Sequence, residues 1–337
     1  MRFNKNLVMA LTVASLVAIA FITDSQDDSV SSANTEIFPR HPVEMVIPFG
    51  TGGAIDIFAR QYSQIVSRYL GESLIAINKS GAGTIEGLLY AVNAPADGYT
   101  ILEITPSLLI IEAQNKSSVK FRSEFEPLLK IQNDIVLFGV AENSPHNTVD
   151  ELLTYARENP GNLKIGGLSP GGLDNYIASA FAEAAGIEWT YVPYKSGAEL
   201  KAAVLGGELD VYQDKLISFM GLVSSGDVRP LVVLNDKRLD VPGLQDVPGS
   251  VEKGVNFTQG SWRGFSIRKD TPPEIKKILI EAFQKAYDDP QYKEMEEREM
   301  TNLVPGYMEA DEFSISWDAE YENFASIFEE LGLVNQQ

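Results

Sequence analysis

The stretch Val43–Arg60, VEMVIPFGTGGAIDIFAR, has the pattern of a strand, a glycine-rich turn and the start of a helix. Apolar residues occupy alternate positions up to Ile47, and a proline then ends the run. From Ile55 to Leu70 the apolar residues follow the spacing of one helix face, and Gly71 predicts the helix end. Bare backbone N–H groups at a helix N-terminus are a common anion site. The stretch therefore predicts a loop that binds a negatively charged small molecule.

Two further glycine-rich turns enter helices, residues 78–84 (NKSGAGT) and residues 167–172 (GLSPGG). Strand and helix patterns alternate around them, which predicts βαβ units on largely parallel sheets. No turn has the lysine of a P-loop, and Glu86 stands where a dinucleotide-binding fingerprint requires glycine. The turns therefore do not indicate a nucleotide site.

Composition restricts the function further. The 337 residues suffice for two domains, and their net charge of -20 argues against nucleic acid or an anionic membrane surface as a partner. The chain contains no cysteine, which excludes disulfides and thiolate chemistry. Its two histidines, His41 and His146, show no metal-ligand spacing. We therefore expect neither a cofactor nor a metal.

The N-terminus has the layout of a secretory signal peptide. Arg2 and Lys5 precede the apolar run Leu7–Ile22, and Ala18-Ile19-Ala20 provides a small-x-small cleavage site. We expect residues 1–22 to be the signal peptide, residues 23–40 a polar linker, and the mature protein to be periplasmic. An uncleaved membrane anchor is the alternative.

Catalysis has little support in the sequence. Residues 167–171 match the letters of a G-x-S-x-G elbow, but Pro170 removes the backbone N–H that would form half of an oxyanion hole. We therefore predict no catalytic residues. Asp56, Asp174 and Asp214 each have two interpretations: they stabilise a helix start or loop, or they accept a hydrogen bond from a ligand.

Several short motifs, in this order and spacing, resemble the Bug/TctC family, the extracytoplasmic solute receptors of tripartite tricarboxylate transporters. They cover the chain from about Val43 to Leu331. The motifs are Pro48-Phe49-x-x-Gly52-Gly53-x-x-Asp56-x-x-x-Arg60, Asn78-x-x-Gly81-Ala82-Gly83, Asp97-Gly98-Tyr99-Thr100, Pro160-Gly161-x-Leu163, Val192-Pro193-Tyr194-Lys195, Gly206-Gly207-x-x-Asp210 and Gly264–Pro273. Ile55, Thr84 and Ser196 depart from the residues common in the family.

The resemblance implies the α/β, two-lobed fold of a type II periplasmic binding protein, in which each lobe is a mostly parallel sheet flanked by helices and the ligand lies between the lobes. Lobe 1 would comprise residues 41–137 and 262–337, with the C-terminal helix on either lobe, and lobe 2 residues 138–261. The chain would cross between them at residues 133–141 and 262–266.

The resemblance also implies a carboxylate ligand held by the amides of the glycine-rich loops. The ligand-binding residues it indicates are Phe49, Gly50, Thr51, Gly52, Gly53, Asp56, Ser80, Gly81, Ala82, Gly83, Thr105, Ser107, Ser169, Gly171, Gly172, Asp174, Tyr194 and Asp214. We expect a monomeric receptor that delivers its ligand to the membrane subunits of a transporter. A receptor for a periplasmic sensor kinase is the alternative, and an enzyme on the same fold is a further one.

Overall fold

The strands of the chain form two mixed sheets, each flanked by helices, in a computed structural model that describes residues 38–335. The predicted signal peptide, its cleavage site and residues 23–37 of the predicted linker lie outside the described residues. Within residues 38–335, none of the helices combines the length and the apolar character that a membrane span requires.

The first sheet has six strands in the order β11-β4-β10-β3-β1-β2. Their bounds are β1 Val43–Ile47, β2 Leu74–Asn78, β3 Thr100–Ile104, β4 Phe125–Asp134, β10 Ser261–Arg268 and β11 Met308–Glu309. The second sheet has five strands in the order β7-β6-β8-β5-β9. Their bounds are β5 Val136–Ala141, β6 Lys164–Leu168, β7 Thr190–Tyr194, β8 Val211–Lys215 and β9 Val228–Val233.

The helices connect these strands and cover the sheets. Their bounds are α1 Ala54–Leu70, α2 Ile85–Val92, α3 Pro106–Ala113, α4 Phe121–Glu124, α5 Val149–Glu158, α6 Leu173–Ala185, α7 Gly197–Leu205, α8 Leu216–Ser225, α9 Pro273–Tyr287, α10 Pro290–Arg298 and α11 Ala310–Glu330. The helix predicted after the first glycine-rich turn is confirmed as α1. Its end is also as predicted, because Gly71 has a φ of 81° and donates its N–H to the Ser67 carbonyl.

The prediction of mostly parallel sheets is correct only for the βαβ units. Strands β1, β2 and β3 pair in parallel in the first sheet, as do β6, β7 and β8 in the second. The other pairings, which involve β4, β5, β9, β10 and β11, are antiparallel. Of these strands, β4, β5, β9 and β10 flank the two places where the chain passes from one sheet to the other, so no crossover helix returns them in the parallel direction.

The chain passes between the sheets at two places. Strand β4 of the first sheet is followed by β5 of the second with only Ile135 between them. The return connection is residues 234–260, which follow β9 and lead into β10. The expectation that residues 262–266 form this crossing is wrong, because they lie within β10 and pair with β3 and β4.

The C-terminal helix α11 contacts helices that flank both sheets. Trp317 packs on Phe121 of α4 with ring centroids 4.7 Å apart. Phe324 meets Tyr176 of α6, beside the second sheet, edge to face at 4.5 Å. The sequence left open which lobe this helix packs on. In the structure it contacts both. These aromatic side chains are buried and join the two sheets in one core.

Candidate functional site

A cavity of about 750 Å³ lies where the carboxyl ends of strands from both sheets meet. Residues that follow β1, β2, β3 and β6 line it, together with the last residues of β8. The edge formed by the carboxyl ends of parallel strands is the usual ligand position in α/β sheets. The predicted site residues that line the cavity are Phe49, Gly50, Ser80, Gly81, Ala82, Gly83, Thr105, Ser107, Ser169, Gly171, Gly172, Asp174 and Asp214.

Five residues of the predicted set do not line the cavity: Thr51, Gly52, Gly53, Asp56 and Tyr194. The first three are exposed beside it, on the loop that carries Phe49 and Gly50. Tyr194 ends β7, and its backbone carbonyl accepts the Ser169 N–H at 3.5 Å. It therefore supports a lining residue through the main chain.

Asp56 holds the first loop from a buried position that does not line the cavity. Its carboxylate is buried and accepts hydrogen bonds from the Gly52 N–H and the Asn78 amide, both at 2.8 Å, and it forms an ion pair with Arg60 at 2.9 Å. Burial opposes ionisation of Asp56, but the bonds from Gly52, Arg60 and Asn78 outweigh it and lower the pKa. The carboxylate is thus occupied by the protein and holds the loop in shape.

The loop of the second sheet has the same construction. In both loops a glycine with positive φ, Gly52 at 83° or Gly171 at 67°, precedes a glycine that starts the helix. In each loop the side chain of the third helical residue accepts a hydrogen bond from the N–H of the first glycine. Asp56 accepts from Gly52 at 2.8 Å, and Asn175 accepts from Gly171 at 3.0 Å. The sequence pattern G-G-x-x-[D/N] occurs at both places, and comparing the two loops would have indicated Asn175.

Asp174 fixes the entry to the second loop. Its carboxylate accepts the Leu168 N–H at 2.7 Å, and its own carbonyl accepts a hydrogen bond from the Gln213 amide at 3.0 Å. Burial raises the pKa of Asp174, and the Leu168 N–H and the Lys215 charge offset this only in part. Asp174 thus lines the cavity while it also stabilises the loop.

Left-handed backbone conformations of residues other than glycine are concentrated around the cavity. Ala82, Thr84 and Ser169 have φ angles of 47°, 89° and 56° and line the cavity. Asn115, at 52°, lies between two lining residues. Such conformations cost free energy, most of all for a β-branched threonine, and they persist where the surrounding structure imposes them. The strain accords with a ligand site at this position.

The first-sheet side of the cavity presents unused backbone donors. The N–H groups of Gly50, Gly81 and Ala82 have no hydrogen-bond partner within residues 38–335. Thr105 starts α3, and its hydroxyl oxygen accepts the Ser107 N–H at 3.3 Å. Unpaired amides beside helix starts favour a bound carboxylate.

Sequence reasoning missed the charged and amide side chains of the cavity, Gln114, Lys116, Gln213 and Lys215. Lys215 forms an ion pair with Asp134 at 3.3 Å. Asp214 beside it accepts hydrogen bonds from the Tyr212 hydroxyl at 2.5 Å and from the Lys215 N–H at 2.8 Å. No recognised motif contains Gln114 or Lys116, so only the folded chain shows that they belong to the cavity.

A hydrogen bond joins the two halves of the cavity. Gln114 follows α3 beside the first sheet, and its side-chain amide donates to the Gly171 carbonyl at 2.9 Å. Gln114 is fully buried. This bond links the end of α3, on the first-sheet side of the cavity, to the glycine-rich loop of the second sheet.

The remaining wall is apolar. Its side chains are Ile55, Ile110, Ile111, Val136, Leu173 and Ile177. Ile55 is the residue that departs from the family pattern in the first loop. The cavity therefore combines polar loops with an aliphatic surface, which is typical of a site for a small organic molecule.

A second cavity, of about 420 Å³, lies at the crossing segments and α11. It contains the buried Lys130 and the half-buried Glu320, whose carboxylate accepts a hydrogen bond from the Trp262 indole at 2.7 Å. Burial lowers the pKa of Lys130 and raises that of Glu320. None of the predicted site residues lines this cavity.

The groups that line the main cavity can bind a small molecule. Within the described part of the chain, no group of three or more His, Asp or Glu side chains is arranged to hold a metal ion. The lining residues supply hydrogen-bond donors, two lysines and apolar contacts. This combination suits a small molecule that has both an anionic group and a carbon skeleton.

Known proteins resemble this chain in sequence and fold. The sequence profile of the tripartite tricarboxylate transporter family receptor, TctC, matches residues 58–333. A Cupriavidus necator protein of the UPF0065 group, encoded in the gbd 5′ region, is 29% identical over 315 residues, which cover 91% of this chain and 92% of that protein.

Solved structures agree in fold. A TctC solute-binding protein from Polaromonas superposes with a TM-score of 0.76 at 23% identity, over 87% of this chain and 99% of that one. An R. palustris protein solved with adipate has a TM-score of 0.70 at 26% identity, over 88% of this chain and 98% of that one. The predicted family and the two-lobed α/β fold are confirmed. The chain is a member of the TctC family of extracytoplasmic solute receptors.

Proposed function

We propose that the protein captures a small organic carboxylate in the main cavity and delivers it to the membrane subunits of a tripartite tricarboxylate-type transporter. The observation that carries the proposal is the pair of matching glycine-rich loops, one from each sheet, at one cavity. The helix starts after the two loops and the unpaired amides of Gly50, Gly81 and Ala82 provide the positive potential that a carboxylate requires. The ligand is bound and released without chemical change.

The first contact with the carboxylate comes from the amides of Gly50, Gly81 and Ala82, whose N–H groups are unpaired within residues 38–335. The loop at residues 169–172 closes the other side. The R. palustris protein solved with adipate supports a carboxylate ligand, because the same fold holds one there.

Closure of two lobes over the ligand completes the proposal. Lobe 1 carries the first sheet, β1 to β4 with β10 and β11, and lobe 2 carries the second sheet, β5 to β9. A ligand that contacts both glycine-rich sides stabilises the closed arrangement through its differential contacts. The signal-peptide pattern of residues 1–22 supports export to the periplasm, where a receptor of this kind meets its ligand.

A thermal-unfolding screen tests the proposal. The purified mature chain is heated with a panel of mono-, di- and tricarboxylates, each matched by its neutral amide. A carboxylate at roughly a hundred times its Kd stabilises the folded chain by about 2.7 kcal/mol, which raises Tm by several degrees. The amides produce no shift. Equal shifts with acids and amides, or no shift with any acid, contradict the proposal.

A further inference from the structure

The second cavity contains the one lysine that is buried in the described part of the chain. Lys130 lies on β4 with 3% of its surface exposed, and it lines this cavity. Its ammonium group makes no hydrogen bond and no ion pair with any of residues 38–335. By contrast, Lys215 at the main cavity is paired with Asp134 at 3.3 Å. Burial of an ammonium group without an acceptor costs free energy, so an acceptor inside the cavity would stabilise Lys130.

Glu320 supplies the opposite charge in the same cavity. Its carboxylate accepts three hydrogen bonds from other lining residues, one from the Trp262 indole at 2.7 Å and two, from the Gln259 amide and the Ser316 hydroxyl, at 3.4 Å. A carboxylate offers about four acceptor positions, and the two longer bonds exceed the usual range for a hydrogen bond. The carboxylate is thus held in place and retains capacity for a further donor.

The charges of Lys130 and Glu320 act on each other without direct contact. Burial lowers the pKa of Lys130, and the Glu320 carboxylate is the strongest of the charges that oppose this. The two groups still do not come within the 4.0 Å of an ion pair. A cation and an anion are therefore held apart on the walls of one cavity, and each can take another hydrogen-bond partner.

The chain encloses this space by close packing of its backbone. A Cβ atom at Gly260 would overlap with the Asp134 carbonyl oxygen, and one at Gly306 would lie 2.8 Å from the Asn133 nitrogen. The Asn133 side chain donates to the Pro305 carbonyl at 2.6 Å. The volume of about 420 Å³ falls within the range of about 300–1,000 Å³ that is typical of small-molecule pockets. The apolar residues of the lining include Ile135, Leu234, Val304, Pro305 and Met308.

We propose that the second cavity binds a zwitterionic α-amino acid with an aliphatic side chain. Its carboxylate accepts from Lys130, its ammonium group donates to Glu320, and its side chain contacts the apolar lining. A simple anion would be repelled by Glu320 and by Asp236, which also lines the cavity, and a simple cation would be repelled by Lys130. A zwitterion gains a charge-assisted hydrogen bond at each end. The site is separate from the proposed function, because neither Lys130 nor Glu320 lines the main cavity.

Titration calorimetry on the purified mature chain tests the proposal. The probes are glycine, L-alanine, L-valine, L-leucine and L-methionine, followed by the amide and the N-acetyl derivative of the amino acid that binds best. The amide lacks the carboxylate, and the N-acetyl derivative lacks the ammonium charge. Each should bind about tenfold to a hundredfold more weakly than the free amino acid, the range expected for one charge-assisted hydrogen bond.

Two variants assign the two ends of the ligand. Lys130→Met should remove the preference for the amino acid over its amide and keep the preference over the N-acetyl derivative. Glu320→Gln should produce the reverse pattern. A loss of structure would weaken all three ligands alike, so these patterns identify the contacts. The controls Lys277→Met and Glu329→Gln make the same charge changes at exposed residues that line neither cavity, and they should leave the affinities unchanged.

Repeating the titrations with a saturating carboxylate from the thermal-unfolding screen separates the two cavities. The amino acid should still bind, because the carboxylate occupies the main cavity. Failure of every amino acid to bind, displacement of the amino acid by the carboxylate, or unchanged preferences in both variants would overturn the proposal and leave the proposed function standing. If no acid of the screen binds, the proposed function fails, and the titrations without acid still decide the second site.

Discussion

Replacement of Gly171 by alanine perturbs the loop that joins the two sides of the cavity. Gly171 has a φ of 67°, which costs a residue with a side chain about 1–2 kcal/mol. The added Cβ would lie 2.7 Å from Nε2 of Gln114, too close to retain the hydrogen bond from that amide to the Gly171 carbonyl. Loss of this buried bond costs roughly 1 kcal/mol more. We expect Gly171→Ala to lower the free energy of unfolding by about 2–3 kcal/mol.

The neighbouring glycine provides the matched control. Gly172 has a φ of -90°, and a Cβ there would meet its nearest atoms at 3.4 Å, an ordinary contact. Gly172→Ala should therefore cost less than about 1 kcal/mol, the usual effect of alanine at the start of a helix. Urea denaturation followed by tryptophan fluorescence measures both variants. Equal destabilisation by the two alanines would refute the assignment of strain and of the Gln114 contact to Gly171.

Two other substitutions test buried carboxyl groups. Asp56→Ala should lower the free energy of unfolding by about 3 kcal/mol, because Gly52, Asn78 and Arg60 lose their acceptor, and should also weaken binding of the best carboxylate. The control Asp150→Ala removes an exposed ion pair with Lys253 and should lower the free energy of unfolding by less than about 1 kcal/mol. Urea denaturation measures both variants, and equal losses of stability in the two would contradict the bracing role of Asp56. Glu103 is fully buried without a hydrogen-bond partner in the described part of the chain, and burial raises its pKa from 4.5 to about 8. Folding therefore takes up a proton between these values, so stability should fall as pH rises from 4.5 to about 8, by up to about 5 kcal/mol. Glu103→Gln should remove this part of the pH dependence. Urea denaturation at about pH 5 and about pH 8.5 gives the difference in free energy of unfolding between the two pH values, and the same difference in the variant as in the unmodified protein would show that Glu103 does not cause it.

Local sequence patterns predicted the βαβ parts of the fold well. The run Val43–Arg60 gave strand, loop and helix with the end at Gly71, because hydrophobic spacing and glycine punctuation are local properties. The antiparallel strands β4 and β10 were harder to place, since their partners are distant in sequence. Periodicity gives no information on which sheet such a strand joins.

The resemblance to the Bug/TctC family implied one site for the glycine-rich loops, whereas nothing in the sequence indicated the charged side chains Lys116 and Lys215. The loops have a recognisable composition, and helix N-termini have a general affinity for anions. Lys116 reaches the cavity only because a Schellman motif ends α3 at that point. Asp56 is the opposite case: the sequence indicated it as a ligand residue, but its hydrogen bonds to Gly52 and Asn78 show that it braces the loop instead of facing the cavity.

The most direct test of a carboxylate receptor is a crystal structure of the mature protein with the acid that binds best in the screen. We predict one ligand in the main cavity, with carboxylate oxygens about 2.7–3.2 Å from the backbone nitrogens of Gly50, Gly81 or Ala82. The loop at residues 169–172 should contact the same molecule from the second sheet. The acid bound in the cavity beside Lys130 and Glu320, or bound in the main cavity with its carboxylate turned away from these amides, would contradict the proposed carboxylate site.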